Sequence, residues 1–300
     1  MRPPPHILVV NGIKVRRPVF VLAAPHSGAD LVARALKRSP GFHVTVGRPA
    51  VTNVVYAFAR RPSIVVRNEG AGASRVLRDA LAEAWQIVPG ACQECADACR
   101  AAAGLTGIGP CAPADTVARY GDASPDLLYS APLLLRAFPD ARFVQLIRDG
   151  RDVTADMMAD PACMAWFKPV MLSEGTEFPN AFLGINRDEH VQRWKDMPAA
   201  GKCALRWRSA VRLNATLRRQ LPHEQLLTLR YEELTASPAG AARKLSEFLE
   251  SRVSKVALYS ATAARPGSAR PRLGAQDTRL VEKVAREELA RLGYVPAAQP

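Results

Sequence analysis

Uninterrupted apolar runs alternate with long amphipathic stretches along this chain. Val19-Phe20-Val21-Leu22-Ala23 has no polar position and is rich in β-branched residues, the pattern of a strand covered on both faces. Residues 141–147 and the shorter 226–229 are further, largely apolar strand candidates. Between the runs the spacing turns helical. Leu31, Val32, Ala35 and Leu36 line one side of 29–38, and further helices are predicted over 50–60, 74–85, 125–137, from 151 onward, and over 203–221, 238–250 and 276–292. Strands separated by long helical stretches predict an α/β fold with a parallel sheet flanked by helices on both faces. In such folds ligands sit at the carboxyl ends of the strands. Residues 1–17 read as an N-terminal arm with one short strand, 18–294 as a single domain and 295–300 as a tail. Two stretches interrupt the pattern: a Cys- and Gly-rich insertion over 89–113, and 161–200, an insertion or lid carrying Trp166, Phe167, Phe178 and Phe182. Residues 264–273 read as loop, and no internal repeat is visible.

Composition narrows the class little. At 300 residues, 48% hydrophobic and 23% charged, the chain is ordinary for a globular protein. No stretch approaches the ~20 apolar residues needed to span a bilayer. Ile7–Val10 is too short for the core of an export signal, so a cytoplasmic location is expected. The net charge is +13, and Arg supplies 33 of the 41 cations. Arg suits bidentate contacts to phosphate and carboxylate, and a cationic surplus favours anionic partners. A compositional bias toward Arg, Ala and Pro explains the same surplus equally well.

The chemistry concentrates in two short segments at predicted strand ends. Ala24-Pro25-His26-Ser27-Gly28 joins a buried strand to a helix, and such a turn gathers backbone N–H groups at a helix N-terminus suited to an anion. Gly28 lets the backbone approach closely. No Gly-Lys-Ser/Thr ends the loop, so it is not a Walker A motif. Arg148-Asp149-Gly150 follows the second strand and opens a helix.

Three segments together carry a family resemblance. The stretch from Pro18 to Leu31 resembles the 5′-phosphosulfate loop of sulfotransferases. Phe138 to Val153 resembles that family's 3′-phosphate-binding strand and turn. Leu229-Arg-Tyr-Glu-Glu-Leu234 is similar to its downstream Arg-Tyr-Glu-Asp-Leu segment. Gly121-Asp-Ala-Ser-Pro125 and a last helix ending in Leu292-Gly293-Tyr294 fall in matching order, so the resemblance runs from Arg17 to Tyr294. It implies a P-loop-like fold that binds 3′-phosphoadenosine-5′-phosphosulfate and transfers its sulfuryl group to a hydroxyl or amine of a small-molecule or unidentified acceptor. It implies cofactor contacts from Pro25, His26, Ser27, Gly28, Ala29, Asp30, Arg148 and Asp156, and from Arg270 and Arg272 in the basic loop before the last helix. His26 and Asp122 are the candidate catalytic residues, Asp122 as a base facing the acceptor.

Four departures from the family pattern fall at five positions. His26 stands where Arg or Lys is usual, Ala29-Asp30 where two hydroxyl residues are usual, Ala123 where Lys is frequent, and Asp156 where Ser is expected. A carboxylate about 4 Å from a phosphate costs about 1 kcal/mol in water and about 4 at an effective dielectric of 20. Asp30 and Asp156 are therefore expected to weaken the nucleotide site, unless they point away from it. The alternative function is a catalytically impaired sulfotransferase-like binding protein. A nucleic-acid module ranks last, because aromatics are only 6% and Arg is spread along the chain.

The spacing Cys92-x2-Cys95-x3-Cys99-x11-Cys111 could hold a structural zinc through four thiolates. The first three also fall on one helical stripe, as buried core cysteines would. A disulfide or an iron–sulfur cluster completes the alternatives.

Overall fold

A computed structural model describes residues 7–87, 95–105, 109–172, 175–259 and 265–296. A short antiparallel hairpin, β1 (Val9–Val10) and β2 (Ile13–Lys14), precedes a five-stranded sheet. The sheet contains β3 (Val19–Ala23), β4 (Phe42–Thr45), β5 (Arg119–Asp122), β6 (Arg142–Ile147) and β7 (Leu226–Arg230). Its order is β4-β5-β3-β6-β7 and every pairing is parallel. The helices of the first half are α1 (Ala29–Lys37), α2 (Pro49–Arg60), α3 (Pro62–Val66), α4 (Ala71–Ala84), α5 (Asp97–Ala103) and α6 (Ala131–Ala137). Then come α7 (Gly150–Ala159), α8 (Pro161–Ala165), α9 (Pro169–Leu172), α10 (Val191–Lys195) and α11 (Ala199–Gln220). The chain finishes with α12 (Tyr231–Ala236), α13 (Pro238–Leu249) and α14 (Ala275–Arg291).

The alternation along β3 explains the layers. Phe20 and Leu22 face a large core with α2, α4, α6, α7, α11 and α14, while Val19, Val21 and Ala23 face a second core with α1, α12 and α13. A strand apolar at every position is thus one buried on both sides. β3 is the middle strand, and the chain leaves it toward β4 and β5 on one side and β6 and β7 on the other. That reversal opens a crevice at the carboxyl edge, where the loops after β3 and β6 meet.

Several expectations shift. The arm docks: Val10 is buried, and the Asn11 side chain donates to the Trp85 carbonyl and Tyr120 hydroxyl and accepts from the Ile87 amide. Strands β4 and β5 carry polar residues that hide them from a hydrophobicity reading. The span 125–137 divides into a 3-10 turn, Leu127–Ser130, and α6, which has Pro in its first turn. Residues 161–200 hold short helices rather than none, and no helix among the described residues is long and apolar enough to cross a membrane.

Asp122 ends β5 with no solvent exposure. Its Oδ2 accepts from the Thr45 hydroxyl at 2.6 Å and its Oδ1 from the Ser124 amide at 2.8 Å, pinning β4 to β5. Burial raises its carboxyl to about 6, opposed by those hydrogen bonds. An acid raised in the folded state binds more protons folded than unfolded, so stability falls as pH climbs from about 4 to about 6. Chemical denaturation of the wild type and Asp122→Asn across this range should show the wild type losing about 3 kcal/mol relative to the variant. Parallel pH profiles would refute the assignment.

Candidate functional site

The loop after β3 is shaped by backbone conformation. His26 and Gly28 both have positive φ, at 58° and 95°. Gly28 caps α1, and a Cβ there would lie 2.7 Å from the Tyr231 ring, so only glycine fits. Ser27 is buried, Pro25 and Ala29 are half-buried, and His26 and Asp30 are exposed. The Leu31 and Val32 amides bond the Gly28 carbonyl, which leaves the Ala29 and Asp30 amides at the head of α1 without an intrahelical acceptor. Asp30 lies in the first turn of α1, where a carboxylate favours the helix dipole.

Arg148, at the end of β6, is the centre of the site. It is 3% exposed. Its Nη1 donates to the His26 carbonyl at 2.7 Å and to Asp156 Oδ2 at 2.7 Å. Its guanidinium lies 4.5 Å from the Tyr231 ring centroid, a cation–π stack. Its Nε and Nη2 are buried with no hydrogen-bond partner. Buried donors left unpaired cost about 1–3 kcal/mol each, so they mark a place where an acceptor fits. One side chain therefore joins the loop after β3, the turn after β6 and the Tyr231 segment.

The neighbouring charges form a closed network. Asp149 caps α7 through the Arg151 amide and accepts from Arg151 Nη2 and Arg270 Nη2 at 2.8 and 2.7 Å. Fully buried Asp152 accepts from the Gly267 and Arg270 amides, fastening the basic loop to α7. Asp156 bonds Arg148 with one oxygen and Arg272 with the other. Glu232 accepts from the Asp149 amide and the Tyr294 hydroxyl, tying α12 to the turn and to the chain end. Gly150 sits so close to Trp207 that a Cβ would lie 2.6 Å from the indole, and Trp207 Nε1 donates to the Arg148 carbonyl.

The sequence-predicted residues therefore divide. His26, Arg148, Asp156 and Arg272 form one connected group, with Ser27 and Gly28 in the adjoining loop. Arg270 joins it through Asp149. Asp156 is no lone carboxylate facing a phosphate: two guanidiniums neutralise it. Asp122 lies fully buried, with its oxygens bonded to Thr45 and Ser124.

The cysteine reading changes as well. Cys92 lies outside the described residues. Cys99 and Cys111 take donors from Lys37 Nζ at 3.3 and 3.8 Å, Cys111 lies 3.6 Å from His43 Nδ1, and Cys95 accepts from Arg48. Cys95's hydrogen bond and the Lys37 ammonium pull the Cys99 thiol below its ordinary range. Lys37 thus reaches two of the three described thiols of that spacing. Among the described residues, the three potential ligands that do converge are His26, Asp160 and Cys163.

A second buried ion pair escaped the sequence reading. Arg206 Nη2 donates to Asp126 Oδ2 at 2.7 Å, both residues are buried, and the guanidinium lies 4.0 Å from the Phe182 ring centroid. Tyr56, Trp166 and Tyr129 pack around Phe182. The Trp166 and Phe182 of the interrupted stretch thus pack on an aromatic cluster from α2 and the 3-10 turn. Gly121-Asp-Ala-Ser-Pro-Asp126 was the available signal, but its Arg partner lies 80 residues on.

A model described as the sulfotransferase family matches residues 18–174 and 178–255. No curated protein matches. Among solved structures, the sulfotransferase STF9 from Mycobacterium avium aligns over 92% of this chain and 77% of its own, at 14% identity and TM-score 0.47. A sulfotransferase domain from the curacin biosynthetic pathway aligns over 94% and 99%, at 15% and 0.45. A sulfotransferase from Alicyclobacillus acidocaldarius aligns over 91% and 97%, at 17% and 0.41. With a family match that takes in the loop after β3, the Arg148 turn and the Tyr231 segment, this chain belongs to the sulfotransferase family.

Proposed function

We propose that the crevice binds 3′-phosphoadenosine-5′-phosphosulfate and that the protein transfers its sulfuryl group to a hydroxyl or amine of a small-molecule acceptor. The observation that carries this reading is Arg148: buried, held on three sides, and keeping two nitrogens unpaired at the carboxyl edge of the sheet. Those donors suit the nucleotide's 3′-phosphate, and Asp156 occupies only Nη1, so a phosphate can dock without breaking that pair. The amides heading α1 suit the 5′-phosphosulfate. Arg272, swung onto Asp156 by the fastened basic loop, sits beside Arg148.

In the transfer, an acceptor oxygen or nitrogen forms a bond to sulfur as the sulfur–oxygen bond to the 5′-phosphate breaks. The leaving bisphosphate gains negative charge, which amides at a helix N-terminus stabilise. The acceptor's proton is given up to water. Enclosed Asp122, with both oxygens bonded, is assigned to holding the strand ends rather than to taking that proton. The aromatic group of Tyr56, Trp166 and Phe182 lies in elements flanking this edge and is the surface we assign to an apolar acceptor.

Thermal shift with adenosine 3′,5′-bisphosphate tests the reading, with 5′-AMP and inorganic sulfate as controls at matched ionic strength. At about 100 times its dissociation constant the bisphosphate should add about 2.7 kcal/mol of stability. Arg148→Lys, which keeps the charge but not the paired donors, should lose most of that gain. Equal shifts from 5′-AMP, or none at millimolar ligand, would exclude the site.

Asp156 gives an independent check. Asp156→Ser removes the carboxylate that neutralises Arg148 and Arg272. Bisphosphate affinity measured by calorimetry should rise about tenfold, a change of about 1.4 kcal/mol. A fall would mean that Asp156 is needed to hold both guanidiniums in place.

A further inference from the structure

We propose that His26, Asp160 and Cys163 form a site for one divalent transition metal of the zinc class, with a fourth position open to an oxyanion oxygen. The three candidate ligand atoms all lie within 4.8 Å of one another. His26 Nε2 is 3.0 Å from Asp160 Oδ2 and 3.9 Å from Cys163 Sγ. Tetrahedral zinc, with bonds of about 2.0–2.1 Å to nitrogen and oxygen and about 2.3 Å to sulfur, has edges of about 3.3 Å between N and O and about 3.6 Å between N and S. The observed separations lie within a few tenths of an ångström of those edges.

The connectivity favours a metal over a catalytic relay. A relay of nucleophile, imidazole and carboxylate uses both ring nitrogens, one for each partner. Here Asp160 and Cys163 both approach Nε2. Convergence on one nitrogen is what a shared cation requires. The donor set of imidazole, carboxylate and thiol suits zinc or a neighbouring transition metal and not magnesium or calcium.

Each ligand is oriented by its own backbone. Asp160 is the N-cap of α8: its Oδ1 accepts from the Ala162 amide at 2.8 Å, which leaves Oδ2 directed at His26. Cys163 is buried in the first turn of the same helix. His26 is held by its left-handed backbone and by Arg148 Nη1 on its carbonyl. Such supporting bonds to ligands are typical of metal centres. The His26 and Asp160 side chains remain 34% and 28% exposed, so three ligands leave a face open to solvent. Three protein ligands with one open position is the pattern of reactive rather than structural zinc.

Binding is balanced as M2+ plus the Cys163 thiol giving the metal thiolate and one released proton. With a neutral imidazole the cluster passes from a net charge of −1 to 0. The loop after β3 contains no Arg or Lys between Pro25 and Asp30, and the metal would offset the Asp160 charge that faces it through His26. The metal site does not rest on the nucleotide reading, because a chain that binds no bisphosphate can still bind the ion.

The test uses the full chain, stripped with a chelator and titrated with Zn2+ against a chromophoric competitor, then with Co2+. One equivalent should bind. Asp160→Asn and Cys163→Ala should each weaken it at least tenfold, and Cys99→Ala should leave it unchanged. The cobalt form should show a thiolate-to-metal charge-transfer band that is absent in Cys163→Ala, and inorganic sulfate should perturb its visible spectrum. Circular dichroism of each variant separates ligand loss from unfolding, and Asp160→Asn, which can keep the helix cap, serves where Cys163→Ala does not fold. No bound metal would overturn the proposal, as would an equivalent that survives Cys163→Ala and vanishes in Cys99→Ala. A cobalt spectrum indifferent to sulfate would overturn the open position.

Discussion

A single buried guanidinium organises the functional edge of this protein. Arg148 leaves the end of β6, stacks on Tyr231 and donates to the carbonyl of His26 and the carboxylate of Asp156. Removing a guanidinium from water is costly, and only good geometry with satisfied partners offsets it. The surroundings supply that geometry with little slack. Gly28 is needed because the Tyr231 ring presses on its α-carbon, and Gly150 because Trp207 packs under the turn and holds the Arg148 carbonyl. The two glycines are thus the spatial cost of bringing aromatic rings against the turns that carry the site.

Around this centre the carboxylates behave as fasteners. Asp149 and Asp152 hold the basic loop against α7, Glu232 links α12 to the Arg148 turn and to Tyr294, and Asp156 bridges two arginines. A carboxylate where a hydroxyl is usual in the family looks harmful to phosphate binding when only the chain order is considered. In space it comes with a compensating partner from a loop more than a hundred residues on. The departure at position 156 and the arginine at 272 are one feature.

Three strands of the sheet and the site's main cation were legible because both are written locally. β3, β6 and β7 are apolar runs, and Arg148 follows one of them directly. β4 and β5 were not legible. Each has four residues, with His43, Arg119, Gly121 and Asp122 breaking any hydrophobic pattern. Gly121 is required because a Cβ would lie 2.6 Å from the Val19 carbonyl, and Asp122 because it joins the strand ends. Those reasons belong to neighbours across the sheet, not to adjacent residues. The same holds for His26 with Asp160 and Cys163, and for Asp126 with Arg206: each pair couples elements far apart in sequence. The cysteine spacing shows the same limit of a reading along the chain. It was regular along the chain, yet Lys37, from α1, lies between Cys99 and Cys111.

The chain's +13 charge is not what would make this edge bind an anion. Arg148, Arg151, Arg270 and Arg272 are matched by Asp149, Asp152, Asp156 and Glu282. A surplus spread over the surface steers anions from a distance and is screened within about 8–10 Å at physiological salt. Selectivity at short range must come from directed donors: the unpaired Nε and Nη2 of Arg148 and the amides at the head of α1. Such a site discriminates by geometry, since a phosphate that meets both sets of donors gains several charge-assisted hydrogen bonds at once. An anion meeting only one set finds a near-neutral surface. Local charge balance therefore serves the same end as the rigid glycine turns, because it makes binding depend on where the donors point and not on how many cations surround them.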